Sequence, residues 1–420
     1  MEKQLKNDTE IKVMIERVEQ KIDPMIRRIE KEVDHHQWRV LTSFRKHRVS
    51  EQHLQASTGY GYDDMGRETL EQIFAELMGA EMAIVRPHIT SGTHAITSCL
   101  FGILRPGDAF IYLTGEPYDT LEQVIGKGKD GSGSLADFDI TYQAISLTDH
   151  QEVDFLALEK AISQRTRLIA IQRSRGYADR PSFSIERIQA MIKKIRQIRS
   201  DLIIFVDNCY GEFVEQIEPT HVGADLIAGS LIKNPGGGLA KSGGYIAGKM
   251  KYVKQAASRL VAPGIGVEGG ATHGYLRDYF QGLFLAPHVV GEARKGAVFT
   301  AAMLDLLGFK TSPSWDEQRT DIIQQVHLGE PELLIAFCQG IQAASPVDAH
   351  ISPVPAAMPG YLDPVIMAAG TFVQGASIEL SADGPLRPPY TVFLQGGLTF
   401  SHIKAAIALS LDQMMATGKI

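Results

Sequence analysis

The sequence predicts an α/β protein: a large domain with a mostly parallel sheet covered by helices, joined to a smaller C-terminal α+β domain. Two observations carry that expectation. Near-continuous apolar runs recur at residues 110–113, 168–171, 202–206 and 226–230, separated by helical stretches such as 185–198, as strands buried on both faces of a parallel sheet require. Beyond residue 350, proline-rich stretches at 350–364 and 384–389 break the chain into short pieces, which suits a different, mixed architecture. At 420 residues the chain is too long for one ordinary core, so a large domain with a smaller satellite is expected.

The elements follow in order. Between residues 10 and 40, Ile11, Met14, Ile15, Val18, Ile22, Met25, Ile26 and Ile29 recur at helical spacing among charges, an amphipathic arm that needs a partner surface. A second helical pattern, 69–79, runs up to Gly79-Ala80 and is followed by a short strand at 82–85 and then by Ser91-Gly92-Thr93-His94-Ala95. The segment 126–133, GKGKDGSG, is a loop by composition. A strand at 391–394 and a helix at 402–415 close the chain. We place the domain limits at 1–58 for the arm, 59–290 for the large domain and 291–420 for the small one.

Composition excludes several classes. No segment approaches the ~20 apolar residues that span a bilayer, and the densely charged N-terminus lacks the apolar stretch of a secretory signal, which points to the cytoplasm. Cys99, Cys209 and Cys338 show no CxxC spacing, so neither a disulfide framework nor a zinc ribbon is expected. A net charge of -7 gives no footprint for nucleic acid. The histidines show no ligand spacing beside a carboxylate, so no metal site is expected.

Three segments carry chemistry. In the run ending Val206-Asp207-Asn208-Cys209-Tyr210-Gly211-Glu212-Phe213 a buried strand delivers a carboxylate to its carboxyl end, where α/β sheets bind ligands. A carboxylate there can hold a protonated heterocyclic nitrogen, as the electron sink of pyridoxal 5'-phosphate (PLP) requires; a helix cap would look similar in isolation. In Gly229-Ser230-Leu231-Ile232-Lys233-Asn234-Pro235-Gly236-Gly237-Gly238 a second strand delivers a lysine into a glycine-rich turn. A lysine amine condenses with an aldehyde cofactor when desolvation or nearby cations lower its pKa. Lys241 competes for that role, but Lys233 keeps the strand-end position and has Ser230, a phosphate-binding candidate, three residues before it. Finally, Ser91, Gly92 and Thr93 fall between a strand and a helix, where amides and hydroxyls together cradle phosphate.

With these motifs, SGTHA, VDNCYGEF and GSLIKNPGGG, the chain resembles the Cys/Met-metabolism branch of fold type I PLP enzymes, the group of cystathionine and methionine lyases. Within it, the chain is similar to the family of aluminium resistance or methionine gamma-lyase-like proteins. The resemblance implies fold type I, PLP as cofactor, Lys233 as the Schiff-base lysine and Asp207 as partner of the pyridine nitrogen. It implies a phosphate held by Ser91, Gly92, Thr93 and Ser230, and Tyr118 stacked on the cofactor. Tyr62 and Arg67, in GYGYDDMGRETL, would reach the phosphate of a neighbouring subunit, making a homodimer or homotetramer with a shared site. An arginine should clamp the carboxylate of a small amino-acid substrate; Arg387 is the first candidate and Arg173 its rival. The expected reaction is β- or γ-elimination at a carbon-sulfur bond. Transamination or aldol cleavage on the same scaffold, and a metal-handling role suggested by the aluminium label, are the alternatives.

Overall fold

The structure, a computed structural model, describes residues 6–127, 131–176, 178–358 and 363–420. Parts of three segments read above lie outside the described residues: 1–5 of the charged N-terminus, 128–130 of the glycine-rich loop and 359–362 of the first proline-rich stretch.

In chain order the first elements are α1 (Asp8–Lys46), α2 (Met65–Met78), β1 (Met82–Arg86), α3 (Gly92–Ile103), β2 (Ala109–Tyr112), α4 (Glu122–Ile125), β3 (Thr141–Ala144), α5 (Phe155–Ala161), β4 (Thr166–Gln172), α6 (Ile185–Ile198), β5 (Ile203–Asp207), β6 (Leu226–Ser230) and β7 (Gly244–Gly248). Then come α7 (Met250–Leu260), α8 (Leu276–Leu306), β8 (Lys310–Ser312), β9 (Ile323–His327), α9 (Pro331–Ala343), β10 (Val365–Ala368), β11 (Ser381–Pro385), β12 (Thr391–Gln395) and α10 (Phe400–Met415). The chain divides into two compact units. The larger is 38–231 with 239–284; the smaller is 1–37, 232–238 and 285–420.

The larger unit is built on a seven-stranded sheet in the order β1-β7-β6-β5-β4-β2-β3. Strands β2 to β6 are mutually parallel. Strand β7 is antiparallel to both β1 and β6, so β1 runs with the majority. The central strands are apolar at almost every position because both faces are covered: Phe110, Leu168, Phe205, Leu226 and Ile246 share one core with Ala95, Cys99 and Leu100 of α3. The expected strands and the helix 185–198 are therefore present, and β3 is an added edge strand.

The smaller unit carries a five-stranded antiparallel sheet, β10-β11-β12-β9-β8. Its apolar face packs with α9, α10 and the second half of α8 into one core. The amphipathic arm finds its partner surface here. Ile11, Val18, Ile22 and Ile29 lie on one stripe of α1 and are all buried in that core. The helix is fixed at its edges by ion pairs from Arg294 to Glu32 and from Lys404 to Glu19. Among the described residues no helix is long and apolar enough to cross a membrane.

Candidate active site

Because six strands run one way, their carboxyl ends meet at one edge of the large sheet, the edge at which open α/β folds bind ligands. Register places Gln172 beside Asp207 and Asp207 beside Ala228, while Ser230 stands beside Gly244.

At this edge α3 begins. Ser91 is its N-cap in extended conformation, and its Oγ accepts the His94 amide at 3.1 Å while its carbonyl accepts the Ala95 amide. The cap leaves the first-turn amides of Gly92 and Thr93 outside the helical ladder, and the capping oxygen keeps a proton to donate. Gly92 is set closely against two neighbours: a Cβ there would lie 3.3 Å from Cys209 Sγ and 3.5 Å from Ser230 Cβ. Ser230 is 2% exposed, and its Oγ has no hydrogen-bond partner among the described residues. Leaving such a hydroxyl unsatisfied costs about 1–3 kcal/mol. A donor and helix-terminal amides converging on one spot fit an oxygen-rich anion. Thr93 adds a hydroxyl 2.8 Å from that of Thr120.

Asp207 ends β5 and is buried, with Oδ1 accepting the Cys209 amide at 3.1 Å and its carbonyl accepting the Arg173 amide. Its charge reaches Tyr112, whose phenol is pushed far above its usual pKa chiefly by burial and secondarily by Asp207. Tyr118 opens the single turn after β2, with its ring over Gly176. Lys233 follows β6 by three residues and precedes the turn Asn234–Gly236; it is half-buried and its carbonyl accepts the Gly236 amide. The competitor Lys241 is exposed and pairs with Asp278 at 2.9 Å, and that contact raises its pKa. An amine held protonated in this way is a poor nucleophile.

Ser91, Gly92, Thr93, Asp207, Ser230 and Tyr118 thus all belong to the larger unit, and Lys233 to the short segment of the smaller one. The structure places the candidate arginines in different settings. Arg67, expected to extend to a neighbouring subunit, is buried within its own chain. Its guanidinium donates to the carbonyls of Gly61, Gly270 and Glu268, and burial, reinforced by Arg86, pulls its pKa down. Arg173 is fully buried and donates to Asn208, Glu218 and Glu215, so its fork is occupied. Arg387 is exposed and pairs with Asp363 at 3.3 Å. Tyr62 is exposed and stacks on Tyr60 with ring centroids 5.5 Å apart. Two site neighbours, Cys209 and Tyr112, were missed from sequence. Cys209 was legible as the second residue after a strand-end carboxylate, whereas Tyr112 resembled ordinary core. Among the described residues no group of three His, Cys, Asp or Glu side chains is placed to hold a metal.

Comparison with known proteins identifies the family of the chain. The family model for methionine gamma-lyase matches residues 11–415. An uncharacterised Bacillus subtilis protein, YnbB, is 59% identical over 383 residues, covering 91% of each chain. A solved Listeria monocytogenes structure, provisionally named a cystathionine beta-lyase involved in aluminum resistance, is 54% identical with a TM-score of 0.95, covering 96% of this chain and 100% of its own. A carbon-sulfur lyase involved in aluminum resistance from Clostridium novyi is 45% identical with a TM-score of 0.93, covering 96% of each chain. The pyridoxal-5'-phosphate-dependent protein YhfS of Escherichia coli shares the fold at 15% identity, with a TM-score of 0.63 over 93% of this chain and 97% of its own. The chain belongs to the methionine gamma-lyase family and has the architecture of fold type I.

Proposed function

We propose that this protein is a PLP-dependent lyase that breaks a carbon-sulfur bond in a sulfur-containing amino acid by β- or γ-elimination. The observation that carries the reading is the buried Ser230 hydroxyl, without a hydrogen-bond partner among the described residues and set against Gly92 at the start of α3, on the same sheet edge as the Asp207 carboxylate. The names of the Listeria and Clostridium relatives support the lyase class. Ser230, the Ser91 hydroxyl and the Gly92 and Thr93 amides would hold the phosphate, Tyr118 the ring face, Asp207 the protonated ring nitrogen and Lys233 the aldehyde carbon. When bound, the pyridine ring supplies an electron sink that makes the substrate α-proton acidic.

Lys233 Nζ is the group on this chain suited to take the α-proton, because it is half-buried just beyond the carboxyl end of β6, whereas Lys241 is exposed and held charged by Asp278. The Asp207 carboxylate, fixed by the Cys209 amide, would hold a proton on its partner nitrogen. With Arg173 occupied, Arg387 is the arginine left to meet the substrate carboxylate, in exchange for Asp363. The same reading makes the protein a homo-oligomer in which the exposed Tyr62 serves a neighbouring copy.

The test is chemical. Protein incubated with PLP should gain a visible absorbance band that free PLP in the same buffer lacks, as a lysine-bound aldehyde requires. Borohydride reduction and peptide mapping should find the pyridoxyl group on Lys233, and cystathionine or a related substrate should yield a keto acid, ammonia and a thiol. Label on Lys241 or Lys249, or no label, overturns the assignment.

A further inference from the structure

The turn that follows Asp207 is fastened by a buried polar cluster that the reaction itself does not use. Successive side chains of an extended chain point to opposite sides, and Asn208, which has no exposed surface, turns away from Asp207. Its Oδ1 accepts Arg173 Nη1 at 2.8 Å; its Nδ2 donates to Glu218 Oε2 at 3.0 Å and to the Tyr245 hydroxyl at 3.3 Å. Tyr245 in turn donates to Glu212 Oε1 at 2.8 Å. Arg173 also pairs with Glu215 at 2.8 Å and Glu218 at 3.2 Å. The cluster therefore links the end of β4, the turn after β5 and strand β7.

Two glycines are shaped by it. A Cβ on Gly211 would lie 2.5 Å from Arg173 Nη1, and one on Gly229 would lie 2.5 Å from Glu212 Oε1 and 2.6 Å from Tyr245 Cε1. The backbone records the same constraint. Tyr210 and Phe213 hold left-handed φ angles of 71° and 60°, conformations that non-glycine residues keep only where their surroundings impose them. The main chain beside Asp207 is tied on both flanks, with the Arg173 amide donating to the Asp207 carbonyl and the Asn208 amide donating to the Ala228 carbonyl.

We infer that Asn208 is the positioning residue for Asp207, and that Arg173 holds the Asn208 amide in place instead of clamping a substrate carboxylate. This rests on the PLP reading above. Among the described residues Arg173 is the one cation hydrogen-bonded to Asn208, so the fork fixes which end of the amide faces it, and the opposite end is then directed to Glu218 and Tyr245. With the amide pinned, the 207–209 backbone is fixed, and with it the Cys209 amide that orients the Asp207 carboxylate.

The test is a titration of cofactor-free wild type, Tyr245→Phe and Arg173→Lys with PLP, followed by pH titration of the visible absorbance of each loaded protein. Tyr245→Phe removes a single hydroxyl and keeps the ring, so it remains informative should Arg173→Lys not fold. The inference expects a circular dichroism spectrum like wild type, a PLP affinity weaker by about 10-fold, as for groups that orient a direct ligand, and a displaced midpoint in the absorbance titration. A variant that folds, binds PLP like wild type and keeps the wild-type midpoint overturns the inference. So does one that loses affinity with an unmoved midpoint, since that is the signature of a merely structural role. Wild type that takes up no PLP fails the functional reading instead, and the inference falls with it.

Discussion

Asp207 brings a carboxylate to the end of a buried strand, with the Cys209 amide holding one of its oxygens. Replacing it by Asn keeps the volume and the hydrogen bond to that amide but removes the charge that retains a proton on a ring nitrogen. Asp207→Asn should therefore fold normally and lose turnover by about 100-fold or more, the scale on which a positioned proton-handling group contributes. Steady-state kinetics with a cysteine-derived substrate, beside circular dichroism, checks it; wild-type turnover refutes it. Asp207 and Ser230 could be singled out in the sequence because each ends an apolar run, and a polar residue there has few other uses. Arg67 and Arg173 could not be read in the same way. Their neighbours in sequence suggest ligands, yet their terminal Nη1 and Nη2 atoms donate to carbonyls of residues 61, 268 and 270 and to side chains of residues 208, 215 and 218. An arginine's partners are set by tertiary approach, and all of these except Gly61 lie 35 or more residues away along the chain.

Helix α1 shows what an amphipathic pattern settles and what it leaves open. Ile22 lies within its buried stripe at 1% exposure, packed in the core of the smaller unit, whereas Val13 on the same helix is 60% exposed. Ile22→Ala should lower the unfolding free energy by about 2–5 kcal/mol, the range for emptying a packed core position. Val13→Ala should change it by no more than about 0.5 kcal/mol. Urea denaturation of the two variants tests the docking of the arm; equal effects would mean that the stripe is not packed in solution. Spacing alone announced a buried face, but not whether its partner was this chain or another. Among the strands, those of the parallel sheet were legible as apolar runs because both faces are covered. Strand β11, Ser381–Pro385, was not, since serine, aspartate, glycine and proline carry no strand signal and cross-strand pairing with β10 and β12 decides its conformation. Helix α8 was missed because burial around much of its girth blurs its period, and Pro287 lies inside it.

At the scale of the assembled molecule, the segment around Tyr60 and Tyr62 is where a second copy is expected to dock. The two rings stack on each other and remain 76% and 53% exposed, and nearby Met65 is exposed as well. An apolar patch of this kind marks an interaction surface. The segment is also held firmly: Arg67 binds the Gly61 carbonyl, and the Gly270 amide donates to the Tyr60 carbonyl at 2.8 Å, so the rings are presented by a fixed backbone. If Tyr62 completes a neighbour's site, Tyr62→Ala and Lys233→Ala chains each form impaired homo-oligomers. A hybrid of the two contains one site in which both defects coincide and one with neither. Random exchange of equal amounts in a two-fold dimer then restores about a quarter of the wild-type sites. Activity should reappear on mixing, measured as keto acid release after mass spectrometry has established that hybrids form. If hybrids form and no activity returns, Tyr62 acts within its own subunit, because every site would then carry one of the two defects.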